Sequence, residues 1–104
     1  MLYFRDLYNR SIRLTDERLH HLEADHPEMV AQTMRISEML AAPDRIVRSR
    51  SDSTVELFYK WYPSTPVTTK FLCVVVKVFP DDYFIITSYY TDAVKEGEVL
   101  WEKT

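Results

Sequence analysis

Two lysines and a set of hydroxyl side chains on strand-like segments are the residues best suited to chemistry in this chain. Lys60 ends Phe58-Tyr59-Lys60, Lys77 ends Val74-Val75-Val76-Lys77, and Thr87, Tyr89 and Thr91 alternate along Thr87-Ser88-Tyr89-Tyr90-Thr91. Cations, hydroxyl donors and aromatic rings on one surface suit a phosphodiester or a single-stranded nucleic acid, which needs charge, donors and flat platforms for its bases. The same residues have a plainer reading, because exposed strand positions carry Lys and Thr for solubility and β-propensity. A second group lies upstream, in Glu17-Arg18-Leu19-His20-His21-Leu22 and His26-Pro27-Glu28. Neighbouring helical residues point about 100° apart, so at most one of His20 and His21 faces inward with Leu19 and Leu22. An inward His21 at the edge of a sheet would be a general acid or base, since imidazole exchanges protons near neutral pH. His26 reads as a structural cap for the helix that follows. His21 and His26 lack the i, i+4 spacing of a helical metal pair, and Pro27 interrupts the helix, so no metal site is expected.

These side chains must be positioned by helices in the first half and strands in the second. Residues 1–13 mix aromatics and charges without a clear period and read as an arm, with a short strand near Ile12 to Leu14. Thr15 is a good N-cap, Asp16 and Glu17 complement the first turn of a helix, and Leu19 and Leu22 give it an apolar stripe. Pro27 ends that helix and opens a second, expected over Pro27 to Leu40, with Met29, Val30, Met34, Ile36, Leu40 and Ala41 mostly on one face. From Arg45 the period changes. Arg45–Arg50, Thr54–Tyr62, Lys70–Phe79 and Tyr83–Thr91 are rich in β-branched and aromatic residues and are divided by Ser-, Pro- and Asp-rich turns. Links this short join antiparallel neighbours, since a parallel crossover needs a dozen or more residues. The expectation is a single α+β domain over 1–104: an arm (1–13), a helical half (14–42), then a four-stranded antiparallel sheet and tail (45–104), with both helices packed on one face. Gly97 precedes Val99-Leu100-Trp101, and the tail is expected to turn back and pack Trp101 against the body.

Alternation along the strands assigns side chains to faces. Val55, Leu57, Tyr59 and Trp61, then Leu72, Val74, Val76 and Val78, then Phe84, Ile86, Ser88 and Tyr90 are expected beneath the helices. The open face would then hold Glu56, Phe58 and Lys60 on one strand, Phe71, Cys73, Val75 and Lys77 on the next, and Ile85, Thr87, Tyr89 and Thr91 on the last. Arg48 and Arg50 extend it from the first strand. Cys73, in an apolar run, reads as buried and inert.

Bulk properties remove several function classes. The chain has 104 residues, 46% apolar and 28% charged, with a net charge of −3. It therefore has the composition of a globular domain and lacks the basic signature of a dedicated nucleic-acid binder. Its single glycine, Gly97, excludes a glycine-rich phosphate loop, so no nucleotide cofactor is expected. No uncharged run exceeds that of Trp61 to Thr69, which contains Pro63 and Pro66 and is far shorter than a membrane span. Arg5 and Asp6 fall where a signal peptide would hold its apolar core, and one cysteine gives no disulfide framework; the cytoplasm is the expected location.

Several segments resemble a known group. Leu14-Thr15-Asp16-Glu17-Arg18-Leu19-His20-His21, His26-Pro27-Glu28-Met29, Pro43-Asp44-Arg45-Ile46-Val47, Phe58-Tyr59-Lys60, Val74-Val75-Val76-Lys77 and Phe84-Ile85-Ile86-Thr87-Ser88-Tyr89 look like small phage-type proteins of the nuclease fold shared by barnase, EndoU, colicin nucleases and RelE toxins. The resemblance runs from about Ile12 to Trp101, and its most specific pieces are the Glu-Arg…His…His-Pro-Glu stretch and the Ile-Ile-Thr strand. It implies two helices followed by a four-stranded antiparallel sheet. It also implies metal-independent, toxin-like endoribonuclease activity, in which the ribose 2′-hydroxyl attacks the adjacent phosphate and leaves a 2′,3′-cyclic phosphate. On that resemblance His21 is the acid or base, Lys60 and Lys77 hold the phosphate, Thr87, Tyr89 and Thr91 donate to it, and Arg18 or Arg48 adds charge. RNA is then the partner, with a neutralising antitoxin or immunity protein alongside. Two other readings stay open: a non-catalytic RNA- or protein-binding module of the same fold, and a structural protein that forms a homodimer through Phe58, Phe71 and Tyr89.

Overall fold

Thr15 caps the first helix, its hydroxyl accepting the Arg18 backbone N–H at 3.1 Å, and helix α1 runs over Asp16–Asp25. The computed structural model describes residues 1–104, and what precedes α1 is ordered β-structure. Strands β1 (Leu2–Arg5) and β2 (Ser11–Leu14) form an antiparallel hairpin where the sequence suggests an arm. After α1, Pro27–Met29 makes only a single 3₁₀ turn, and Ala31 adopts a left-handed backbone with φ 62°. Helix α2 therefore starts at Thr33, not at Pro27, and ends at Ala41. Strands β3 (Arg45–Arg48), β4 (Val55–Tyr62), β5 (Lys70–Phe79), β6 (Asp82–Thr91) and β7 (Glu98–Glu102) follow.

These strands make one seven-stranded sheet in the order β1-β2-β6-β5-β4-β3-β7. All neighbours are antiparallel except β2 and β6, which run parallel through Arg13 and Phe84. The expected architecture, two N-terminal helices on a four-stranded antiparallel sheet in the manner of barnase and RelE, is thus incorrect. A hairpin precedes the helices, the sheet is mixed, and the tail adds β7 beside β3. The crossover that permits a parallel pair is the helical half itself, which lies with the rest of the sheet between β2 and β6.

The helices cover one face, where Ile36, Leu40, Ile46, Phe58, Leu72 and Val74 belong to the main core, and Trp101 packs against it. A second, smaller core of Val47, Val55, Leu57, Tyr59 and Cys73 lies on the face that the helices leave bare. The segment 92–97 crosses this face as a strap, with Val94 packed on the second core and the Lys95 N–H donating to the Tyr59 hydroxyl at 3.1 Å. No helix is long and apolar enough to cross a membrane.

Gly97 fixes where the strap enters β7. A Cβ there would stand 2.4 Å from the Arg48 carbonyl oxygen and 2.6 Å from Val47 Cγ1, so the glycine is needed for close approach of two backbones. Gly97→Ala is expected to destabilise the fold by about 1–3 kcal/mol, the usual cost of overpacking a site that cannot yield, as read from the midpoint of urea unfolding.

Candidate functional site

Cross-strand pairing decides which side chains share the bare face. Phe58 pairs with Val74 and Tyr59 with Cys73, so β4 presents Val55, Leu57, Tyr59 and Trp61 to the bare face and Phe58 and Tyr62 to the helices. This reverses the expected register of β4. Its polar members are accommodated at the ends of the covered layer: Glu56 meets Arg10, and the Lys60 stem reaches the end of α2, where Nζ donates to the Ala42 carbonyl at 2.9 Å. Strand β5 keeps the expected sorting. In β6 a bulge between the Val75–Thr87 and Val76–Ile85 pairs turns Ile86 outward along with Thr87, so Ile85 faces the helices and Phe84 does not.

The bare face is therefore built of cross-strand rows. Tyr59, Cys73 and Tyr89 form one row, and Leu57, Val75 and Thr87 the next. Between the β3–β4 turn and the strap lies a cavity of about 390 Å3. Leu57, Val75 and Ile86 line its floor, and Ser49, Thr87, Tyr89 and Lys95 stand around it. A second cavity, of about 380 Å3, lies against Tyr59, Phe71 and Val94.

The residues singled out from sequence divide between surfaces. Lys77, Thr87, Tyr89 and Thr91 share the bare face; Lys60 lies on the opposite one. Lys77 is engaged, with Nζ 2.8 Å from Asp52 Oδ2. Hydrogen bonds from Lys77, then from Thr54, hold the Asp52 carboxyl well below the usual carboxylate range. Thr91 closes a turn, its hydroxyl 3.3 Å from both the Ala93 N–H and the Ala93 carbonyl. His21 projects from α1 with its side chain 60% exposed, 3.7 Å from Glu17, and does not reach the sheet residues. Arg18 borders a small hollow of about 230 Å3 with Arg13, Thr15 and Phe84, and Arg48 is held by Glu98 at 2.8 Å and the Ser53 carbonyl at 3.0 Å. The histidine beside β6 is His26. Its ring centroid is 5.4 Å from that of Tyr89, Nδ1 is 3.8 Å from Glu28 Oε2, and its side chain makes no capping hydrogen bond.

Most cations near this face are matched by acids: Arg45 by Glu102, Arg48 by Glu98, Arg50 by Glu96, Lys70 by Asp92 and Lys77 by Asp52. No group of three or more His, Cys, Asp or Glu side chains is gathered as a metal site. Burial pushes the Cys73 thiol up to about 11, against the opposing influence of the Tyr89 and Tyr59 hydroxyls. Burial, and then Cys73, also raises Tyr59 and Tyr89, so all three groups in the row stay protonated at neutral pH. Because these folded-state values lie above the unfolded ones, their contribution to stability is complete below the ordinary thiol value of 9.0 and fades as pH rises toward 11. Unfolding midpoints are expected to fall across that interval, and less steeply in Cys73→Ala; a flat profile in the parent would contradict the burial of this row. The thiol itself is expected to resist alkylation in the native protein.

Searches of protein-family models, curated proteins and solved structures find no match to this chain.

Proposed function

We propose that this chain is a binding module whose ligand seats on the bare face of the sheet, in the cavity between the β3–β4 turn and the strap. The observation that carries the reading is the construction of that cavity: an apolar floor from three adjacent strands, opened by the β6 bulge and bordered by hydroxyls, by Arg50 and Lys95 and by Asp52 and Glu96. Small-molecule sites characteristically combine an apolar lining with a few convergent polar groups.

The endoribonuclease expectation finds less support in the geometry. Cleavage by a ribose hydroxyl needs a base, an acid and compensating charge around one phosphate. His21 stands exposed on a helix, Lys60 lies on the covered side, and Lys77 is neutralised by Asp52. A module that binds without cleaving asks for none of these to meet.

The test is a set of small fragments, anionic, cationic and neutral, added to isotope-labelled protein and followed by amide chemical shifts. Perturbations clustered on Val75, Thr87 and Tyr89 are expected, whatever the charge preference. Their absence from this face would remove the reading. So would new 2′,3′-cyclic phosphate ends on cellular RNA incubated with the protein in chelator, if His21→Ala or Lys77→Ala abolished them.

A further inference from the structure

The ionic and serine groups around the cavity are already committed to one another, while the Lys95 ammonium and the Thr87 hydroxyl are not. Asp52 is held by Lys77 and by both the hydroxyl and the N–H of Thr54. Glu96 pairs with Arg50 at 3.4 Å, and Ser49 and Ser51 share a hydrogen bond of 3.1 Å. Lys95 Nζ has no acid within ion-pairing distance and no hydrogen bond, and the Thr87 hydroxyl has no partner either. Lys95 is nonetheless anchored, because its own backbone N–H is tied to Tyr59 and the preceding Val94 is packed on the second core. Its charge is felt at the Cys73 thiol, one row from Val75 and Thr87.

An unmatched ammonium and an unmatched hydroxyl lining one cavity, floored by Leu57, Val75 and Ile86, define a ligand with two parts. We infer that the cavity takes a small amphipathic anion, its carboxylate or phosphate head on Lys95 and Thr87 and its apolar body on the three floor residues. This inference rests on the binding reading above and adds the class of ligand. A neutral or cationic head offers the exposed Lys95 ammonium nothing better than its hydration water. An anionic head replaces that water with charge-assisted hydrogen bonds. The volume, about 390 Å3, lies within the range of roughly 300–1,000 Å3 typical of small-molecule sites.

Phenylacetate, phenyl phosphate and the neutral phenylacetamide present one ring with three different heads, and each can be titrated into the labelled full chain. At least one anion is expected to shift Thr87, Tyr89 and Lys95 saturably and to bind about ten-fold more tightly than the amide, as one charge-assisted contact warrants. The tighter of the two anions identifies the head as carboxylate or phosphate. Lys95→Met is expected to remove the difference between anion and amide while leaving the rest of the spectrum in place, since the side chain is exposed. Equal binding of all three probes, or a preference untouched by Lys95→Met, would overturn the anion assignment and leave the binding reading standing. Fragments of every charge failing on this face would remove both.

Discussion

Arg10→Ala is expected to destabilise the fold by about 3–5 kcal/mol, the range observed when one member of a buried ionic group is removed. That is a large share of the roughly 5–15 kcal/mol that holds an ordinary domain together. Arg10 Nε donates to Asp6 Oδ2 and Nη2 to Glu56 Oε1, each at 2.7 Å. The Asp6 and Glu56 side chains are only 0% and 9% exposed, so neither can exchange its partner for water. Burial works against the guanidinium charge, yet its hydrogen bonds to Glu56 and Asp6 prevail and hold the group charged. Its Cζ lies 4.9 Å from the centroid of the Tyr8 ring and 5.1 Å from that of Tyr83, a cation–π arrangement that alanine also loses. Urea unfolding of Arg10→Ala measures the loss. Replacing all three charges together, as Asp6→Asn, Arg10→Met and Glu56→Met, is expected to restore most of it, because no charge is then left unpaired and an amide oxygen at position 6 still accepts the Tyr8 and Arg10 backbone N–H groups. A single alanine variant as stable as the parent would show that the hairpin is not pinned by this group.

The same cluster explains why the first strands were illegible in the sequence. Residues 1–13 read as an arm because Arg10, which holds Asp6, finds its second partner Glu56 46 residues away. Charges that look solvated locally are satisfied across the sheet. Local chemistry was enough elsewhere: Thr15 with Asp16 and Glu17 marks the start of α1, and the turn-rich breaks separate β3 to β6 near their true ends. The parallel β2–β6 pair joins segments separated by most of the chain, and no spacing rule reaches that far. Of the site, Lys77, Thr87 and Tyr89 were placed on one face from alternation alone, because Lys77 and its neighbours on β5 sort cleanly. Ile86 was misplaced because a bulge leaves no mark in composition. Lys95 was missed because it sits in a segment with no period at all, and only the packing of Val94 and the Tyr59 hydroxyl bring it over the cavity.

Strand β4 holds the most consequential ambiguity, and Phe58→Ala tests its resolution. Both alternations of Val55–Tyr62 carry large apolar side chains: Val55, Leu57, Tyr59 and Trp61 are all apolar or aromatic, and of Glu56, Phe58, Lys60 and Tyr62 half are. Reading Glu56 and Lys60 as solvated sends Phe58 to the open face, and a one-residue change of register exchanges every side chain. The structure puts Phe58 at 0% exposure in the main core and leaves Trp61 47% exposed. Two-sided burial makes this possible, since Val55, Leu57 and Tyr59 find a second core beneath the strap. Phe58→Ala is accordingly expected to cost about 3–5 kcal/mol, as for a phenyl ring removed from a packed interior. Trp61→Ala should cost about 1 kcal/mol or less, because much of the indole already meets water. Chemical unfolding of the two variants side by side measures the contrast. In the opposite register the order would invert, with the tryptophan the costly loss, and the bare face, its cavity and the position of Thr87 beside Leu57 and Val75 would have to be redrawn with it.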